Sequence, residues 1–498
     1  MGRLGGVSIQ SVLWRYNVCR TSDGIATTEK HVTKAMKEQA TTRTRRILAI
    51  ALLLVCAALC NVLLTFVFVP YGSKSELAWQ DYAKEEEIDC VIVGTSTSMR
   101  DIDPKILDER LGTKSFNLAT PSQMLDESYV AVRTAYEDHG ITRVILGLSH
   151  SQLLRSAKPN PGSPFMYERS RVVSLQQQLE GVGDLMFNSG AISEPASLNM
   201  VFPWVSAMVS KSPAAIVENA RMKLDGTSLY EAAKANEPGI TYCGKGFGSK
   251  SKKLNYNGSE ATSYFAQQRR DDVGVSSGKA DSIDAARERV LVALCDYCQE
   301  HDIELIAVAP PLASFNVIEY GSDYFTLGEQ ARSLVESHGC HYYDINMAKA
   351  ELFDPKESYF SDAEHLNFEG ATAFTSSLCD LVYVVESDED AHALFMAGKD
   401  EYLASVDRIS CVFAESTATK EGAQITARAL AGSNIEVEYQ FCLLGADGSW
   451  EEARAWSADP VAVLRPSNGQ RGAFKVRVNA RRVGDVDLER YRELWAMY

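Results

Sequence analysis

Positive charge is scarce in this chain once its first 46 residues are set aside. That opening segment holds nine Lys/Arg against three Asp/Glu, so it contributes +6 to the net −16 and leaves −22 on the rest. A body so acidic lacks the Lys and Arg that phosphate contacts require, which argues against nucleic acid as a partner. Anionic polymers meet the same long-range repulsion unless a local basic patch intervenes. Long apolar runs are equally rare, with one uncharged stretch at 47–69. No glycine-rich loop carries the Lys of a phosphate cradle. Neither GTSTS nor GLSHS has the final glycine of a Gly-x-Ser-x-Gly elbow, which argues against an ordinary α/β-hydrolase. No internal repeat is present. The one Cys-x-x-Cys, Cys295-Asp-Tyr-Cys298, has no second pair to complete a zinc site and no thioredoxin-like surroundings. It sits in a helix-patterned run and reads as a pair of small core residues.

The apolar stretch, ILAIALLLVCAALCNVLLTFVFV, is 23 residues long, enough to cross a bilayer core at about 1.5 Å per residue. Arg43, Arg45 and Arg46 lie directly before it. The positive-inside rule then predicts a cytoplasmic tail over 1–46, a transmembrane helix over 47–69 and an extracytoplasmic remainder. A cleaved signal peptide is the competing reading. The stretch exceeds the roughly 7–15-residue core of such a signal, and no small-x-small site follows, so an uncleaved single-pass anchor is expected. The eight cysteines beyond it lie where disulfides can form, and their spacing does not fix a pairing.

Beyond the anchor, short apolar runs alternate with helical patterns, which predicts an α/β domain with a parallel sheet over about 85–385. Strands are expected at 89–93, 114–118, 143–148, 303–309 and 341–345. Helices fit 104–111, 124–139, 282–301, 327–336 and 368–384. About 150 residues separate the third and fourth strands, far more than a crossover needs, so an insertion is placed at 153–280. Within it GKGFGSKSKKLNYNGSE is loop-like, and 212–224 and 228–235 look helical. From about residue 400 the period changes to two, with Ile435, Val437, Tyr439, Phe441 and Leu443 alternating with polar residues. A C-terminal β-sandwich of Ig-like kind over 400–498 is the expectation. Trp450, Trp456 and Tyr439 lie on its strands, where they fill a core or offer faces to sugar rings.

Two stretches carry chemistry. DCVIVGTSTSMRDIDP (89–104) runs from a buried strand into small hydroxyl residues at the carboxyl end of the first strand, where open α/β sheets place ligands. YFSDAEHLNFEGATAF (359–374) sets Asp362 three residues before His365 on a loop ahead of an apolar helix. A serine nucleophile needs a base to take its proton and a carboxylate to hold that base, and this loop can supply both. No metal set is apparent beyond a loose Asp354/Asp362/Glu364/His365 cluster that fixes no geometry.

Together these two stretches resemble the SGNH/GDSL hydrolase superfamily, whose pattern is Gly-x-Ser after strand one and Asp-x-x-His before the last helix. The resemblance spans about 85–385 and is nearest to membrane-anchored envelope members of the alginate O-acetylation and teichoic-acid D-alanyl transfer type. It implies a three-layer α/β/α domain with Ser96 as nucleophile, His365 as base and Asp362 as the orienting acid. Ser98 is the rival hydroxyl, expected to cap the following helix. The middle blocks fit less well. FNLATPSQ and GLSHSQ stand where the superfamily has an oxyanion-hole glycine and a Gly-x-Asn-Asp. Asn117 is the candidate oxyanion donor, and Ser149 and His150 fill the strand-three position in what reads as a structural role.

The resemblance implies a serine esterase or O-acyltransferase acting on acyl esters of a cell-envelope glycan, with no cofactor. A membrane-embedded acyl donor is an implied partner. The alternative is a non-catalytic, membrane-anchored scaffold or glycan-binding protein on a degenerate SGNH domain.

Overall fold

The computed structural model describes residues 22–154, 165–188, 202–205, 212–261, 282–387, 389–466 and 471–498. The chain falls into two units, Met1–Val67 and Phe68–Tyr498. The first holds helix α1 (Ser22–Phe68). Its Thr42–Phe68 portion has a mean hydropathy of 2.9, and among the described residues it is the one helix long and apolar enough to cross a membrane. Leu52, Leu53 and Leu63 stand exposed along it.

In the second unit, β1 (Cys90–Gly94), β2 (Ser115–Asn117), β3 (Arg143–Gly147), β6 (Glu304–Ala309) and β7 (His341–Asp344) form one parallel sheet in the order β2-β1-β3-β6-β7. A parallel sheet needs cover on both faces, so its strands are apolar at every position rather than at alternate ones. Accordingly Val91 and Val93 join one core while Cys90 and Ile92 join the other. Helices α2 (Lys74–Tyr82), α5 (Leu125–His139), α11 (Ala285–Glu300) and α13 (Ser322–Ser337) supply residues to the first core. Cys295 and Cys298 of α11 are buried there as small apolar residues. Helices α4 (Pro104–Leu111), α12 (Ser314–Tyr320) and α14 (Phe368–Glu386) cover the opposite face. Two short helices sit at strand ends, α3 (Ser96–Asp101) after β1 and α6 (His150–Leu154) after β3.

The described part of the insertion holds α7 (Phe165–Ser170), α8 (Leu175–Asn188), α9 (Pro213–Leu224) and α10 (Leu229–Asn236), then a hairpin of β4 (Thr241–Gly244) and β5 (Phe247–Ser249). The hairpin corrects the loop expected over this glycine-rich stretch. Its two turn residues, Lys245 and Gly246, both have positive φ (51° and 79°), the turn whose twist suits a two-residue hairpin. Gly246 lies so close to β2 that a Cβ would fall 1.7 Å from the Asn117 carbonyl oxygen, while Asn117 N–H donates to Lys245 O (3.0 Å). The chain after the hairpin runs beside the loop at 360–368. Phe368 N donates to Lys250 O (3.0 Å) and Leu254 N to Phe360 O (2.8 Å). The insertion thus braces the loop that carries Asp362 and His365.

Helix α15 (Lys399–Ser405) leads into seven antiparallel strands: β8 (Ile409–Ala418), β9 (Ala423–Ala431), β10 (Val437–Leu444), β11 (Trp450–Ser457), β12 (Val461–Leu464), β13 (Ala473–Arg482) and β14 (Arg490–Met497). They form a sheet β11-β10-β13-β14 and a sheet β12-β9-β8 that share one core. Alternation places Val476, Val478 and Ala480 inward and Lys475, Arg477 and Arg481 outward. Of the three aromatics singled out, Tyr439 is buried, its hydroxyl accepting from Ala429 N (3.0 Å). Trp450 and Trp456 lie outside that core, stacked with Arg477 (4.3 Å) and Arg481 (4.0 Å). Cys411 and Leu430 belong to the core of the α/β sheet's second face, so this region packs into the α/β unit instead of standing apart.

Candidate active site

The strand order reverses between β1 and β3, and in doubly wound sheets the crevice at such a switch point, beyond the strands' carboxyl ends, is where ligands bind. A cavity of about 100 Å³ opens there, lined by Ser96 and Thr97 after β1, Ser149 and His150 after β3, and Pro310 and Leu312 after β6.

Thr95 caps α3, its Oγ1 accepting from Thr97 N at 3.4 Å. Ser96 follows as the first helical residue, so its side chain stands at the mouth of the sheet and its N–H is one of the four donors a helix start leaves without an intrahelical acceptor. Ser98 does not cap a helix. Its Oγ is buried against the two strands, so that a Cβ on Gly94 or Gly147 would fall 2.3 or 1.8 Å from it. Asp103 caps α4 instead.

The loop before α14 is closed on itself by Ser361 N donating to His365 O (2.9 Å). Asp362 Oδ1 accepts from Glu364 N (3.1 Å) and His365 N (3.0 Å), and lies 2.7 Å from His365 Nδ1. An ionised carboxylate only accepts, so Nδ1 carries the proton and Nε2 is left with its lone pair. That Nε2 lies 2.9 Å from Ser96 Oγ. The three expected residues, 269 positions apart at their extremes, therefore meet in hydrogen-bond sequence.

A fourth residue, not anticipated, completes the line. Arg100 of α3 is buried and donates to the other carboxylate oxygen, Asp362 Oδ2 (3.2 Å), and to Ser361 Oγ. The helix that carries the serine thus also holds the acid. Burial would raise the Asp362 carboxyl, but the His365 hydrogen bond, the Arg100 charge and the Glu364 N–H outweigh it and hold it well below the usual range. Burial and the charges of Arg100 and Lys250 lower His365, against the pull of Asp362. A neutral imidazole beside an ionised acid is the resting state of a general base. Next to the site, Asp101 is fully buried, accepts from Leu366 N (3.0 Å), and is driven well above the usual range by desolvation.

Asn117 is not brought to the serine as an oxyanion donor. Its amide donates to Ser98 O (2.9 Å) and Ile102 O (3.1 Å) while its Oδ1 accepts from Ala119 N (3.0 Å). With both N–H bonds spent on the α3 segment, it ties β2 to the serine's helix. His150 is a buried wall of the cavity, its ring stacked on Tyr324 at 4.0 Å and its Nε2 3.1 Å from Tyr324 O. Burial lowers it to about 4. Ser149 Oγ lies 2.9 Å from Ser151 Oγ. Ser122, in the segment after β2, also lines the cavity and holds φ at +61°, a left-handed conformation that glycine adopts more cheaply. Among the described residues, no group of His, Cys, Asp or Glu is arranged to hold a metal ion. The ten described cysteines are all unpaired.

No family model matches the chain. No curated protein matches it either. Among solved structures it is similar to a modular endo-beta-1,4-mannanase from Cellulomonas fimi, at 11% identity over 86% of this chain and 98% of that one. The TM-score of 0.12 is too low to bear on fold or function.

Proposed function

We propose that this chain is an extracytoplasmic serine esterase or O-acyltransferase of the SGNH type, anchored to the membrane by one helix. The observation that carries the reading is the unbroken line Ser96–His365–Asp362, with contacts of 2.9 and 2.7 Å, at the sheet's switch point. A partly buried Ser–His–Asp line with the imidazole neutral is arranged for acyl transfer.

Ser96 Oγ attacks the ester carbonyl as its proton passes to His365 Nε2, and Asp362 steadies the imidazolium that forms. The tetrahedral oxyanion collapses, the alcohol leaves with the proton from His365, and an acyl-serine remains. Water or a sugar hydroxyl, deprotonated by His365, then takes the acyl group. The Ser96 N–H at the start of α3, one of the donors a helix start leaves without an intrahelical acceptor, is the backbone candidate for the oxyanion, and one such donor is worth about a hundredfold or more in rate. The anchor and the resemblance favour acyl esters of an envelope glycan, with a membrane-bound acyl donor as partner in the transfer case.

The test is mass spectrometry of the full-length protein quenched in acid after brief exposure to p-nitrophenyl acetate. A 42-Da (from the chemistry of acetylation, roughly) adduct on the peptide containing Ser96, absent in Ser96→Ala, supports the reading. An adduct elsewhere, or none while the protein is folded, moves the function to the scaffold alternative.

A further inference from the structure

The insertion contains a helix bound to the point where the chain leaves its apolar span. Val69 is the last residue of the apolar stretch, and its carbonyl accepts from both Asn219 Nδ2 (3.0 Å) and Lys223 Nζ (2.6 Å) of α9. The next residues are strapped to the same region. Tyr71 N donates to Asn219 Oδ1 (2.9 Å), Tyr71 OH to Thr227 O (2.7 Å), and Asn236 Nδ2 to Tyr71 O (2.6 Å).

The other side of α9 is apolar and uncovered. Pro213, Val217, Ala220 and Leu224 recur at helical spacing along one stripe. Val217 and Leu224 are 66% and 75% exposed, large values for aliphatic side chains in water. Arg221, paired with Asp225 at 3.2 Å, flanks the stripe.

From these observations we infer that α9 is an interfacial helix whose Pro213–Val217–Leu224 stripe lies in the headgroup layer of the bilayer that the chain itself crosses. This rests on the reading of 47–69 as an uncleaved anchor. Chain connectivity supplies the depth. A bilayer has about 30 Å of hydrocarbon within about 40–45 Å overall, leaving roughly 5–8 Å of headgroup on each side. A helix is about 10–12 Å across, so one hydrogen-bonded to the residue that ends the span overlaps that layer. An amphipathic helix there buries its apolar face about 5–10 Å into the headgroup boundary. The stripe then has a solvent suited to it, and Tyr71 sits at the level where aromatic belts collect.

The test uses the full-length protein in vesicles of phosphatidylcholine and phosphatidylglycerol that contain no other protein. Cys19, Cys56, Cys60 and Cys243 are replaced by Ser except where labelled; the other described cysteines are buried. An environment-sensitive fluorophore is placed singly at Val217→Cys, at Leu224→Cys, at the native Cys60 within the span, and at Val486→Cys, which is 88% exposed between β13 and β14. Lipids carrying a quencher near the glycerol backbone are then added for positions 217, 224 and 486, and lipids carrying one at the acyl-chain end for position 60, which lies near the middle of the span. The inference predicts loss of fluorescence at 217 and 224 and none at 486. Quenching at 60 with none at 217 and 224 overturns it, leaving that face for water or a protein partner. Absence of quenching at 60 as well overturns the anchor, and the inference with it.

Discussion

Arg100 binds the acid of the site from the same short helix that presents the serine, and its charge is felt by His365. Because a nearby cation disfavours the imidazolium, Arg100→Met should raise the His365 pKa. The acid limb of the rate profile, which reports loss of the neutral base, should therefore move to higher pH; the esterase rate measured across pH checks this. Lys250→Met, at a half-buried position, should shift the limb the same way by less. Asp362→Asn removes the acceptor that fixes the tautomer and should cost on the order of 10⁴-fold in kcat, with a folded state still seen by circular dichroism. The meeting of Ser96, Asp362 and His365 was legible because each sits in a short motif whose spacing has a chemical reason. Arg100 was not, since an arginine four residues after a serine reads as a solvated helix residue until the distant loop folds over it. Asn117 misled for a related reason. A polar residue at a strand end looks available, but here the backbone of α3 takes both its N–H bonds.

The element that sets the geometry is α3, one turn and a half of helix seated on β1 and β3 through Ser98. Its seat depends on glycine at two strand ends. Gly147→Ala would place a Cβ 1.8 Å from Ser98 Oγ, and overpacking of this kind costs about 1–3 kcal/mol. Denaturant unfolding should show that loss, and Ser98→Gly in the same chain should recover much of it. A Gly147→Ala protein of unchanged stability would mean that α3 is not held as described. The strands of the sheet were readable because buried parallel strands are continuous apolar runs bounded by turns. The β4–β5 hairpin was not, because its glycines lower strand propensity and its pairing is fixed by contact with β2, which no local pattern encodes. The short α3 was also unread, being too brief for a helical period to show.

On the scale of the whole molecule, a basic tail and an apolar helix precede an acidic α/β unit, and under the proposed reading that order sets the topology. The protein should stay in the membrane pellet through alkaline carbonate washing, and protease applied to the outer face should remove the chain beyond about residue 69. Release into the supernatant would instead indicate a cleaved signal. The sequence distinguished the α/β part from the antiparallel part by a change of period, but not how the two pack. Cys411 and Leu430 join the core of the α/β sheet's second face, and burial across a junction depends on partners far apart in the chain. The proposal that Ser96 is an activated nucleophile is tested most directly by a fluorophosphonate probe. The full-length protein in detergent, treated beside Ser96→Ala, is predicted to label on Ser96 and to lose all labelling in the variant. Equal labelling of the two proteins, or none in a folded wild type, would contradict the account.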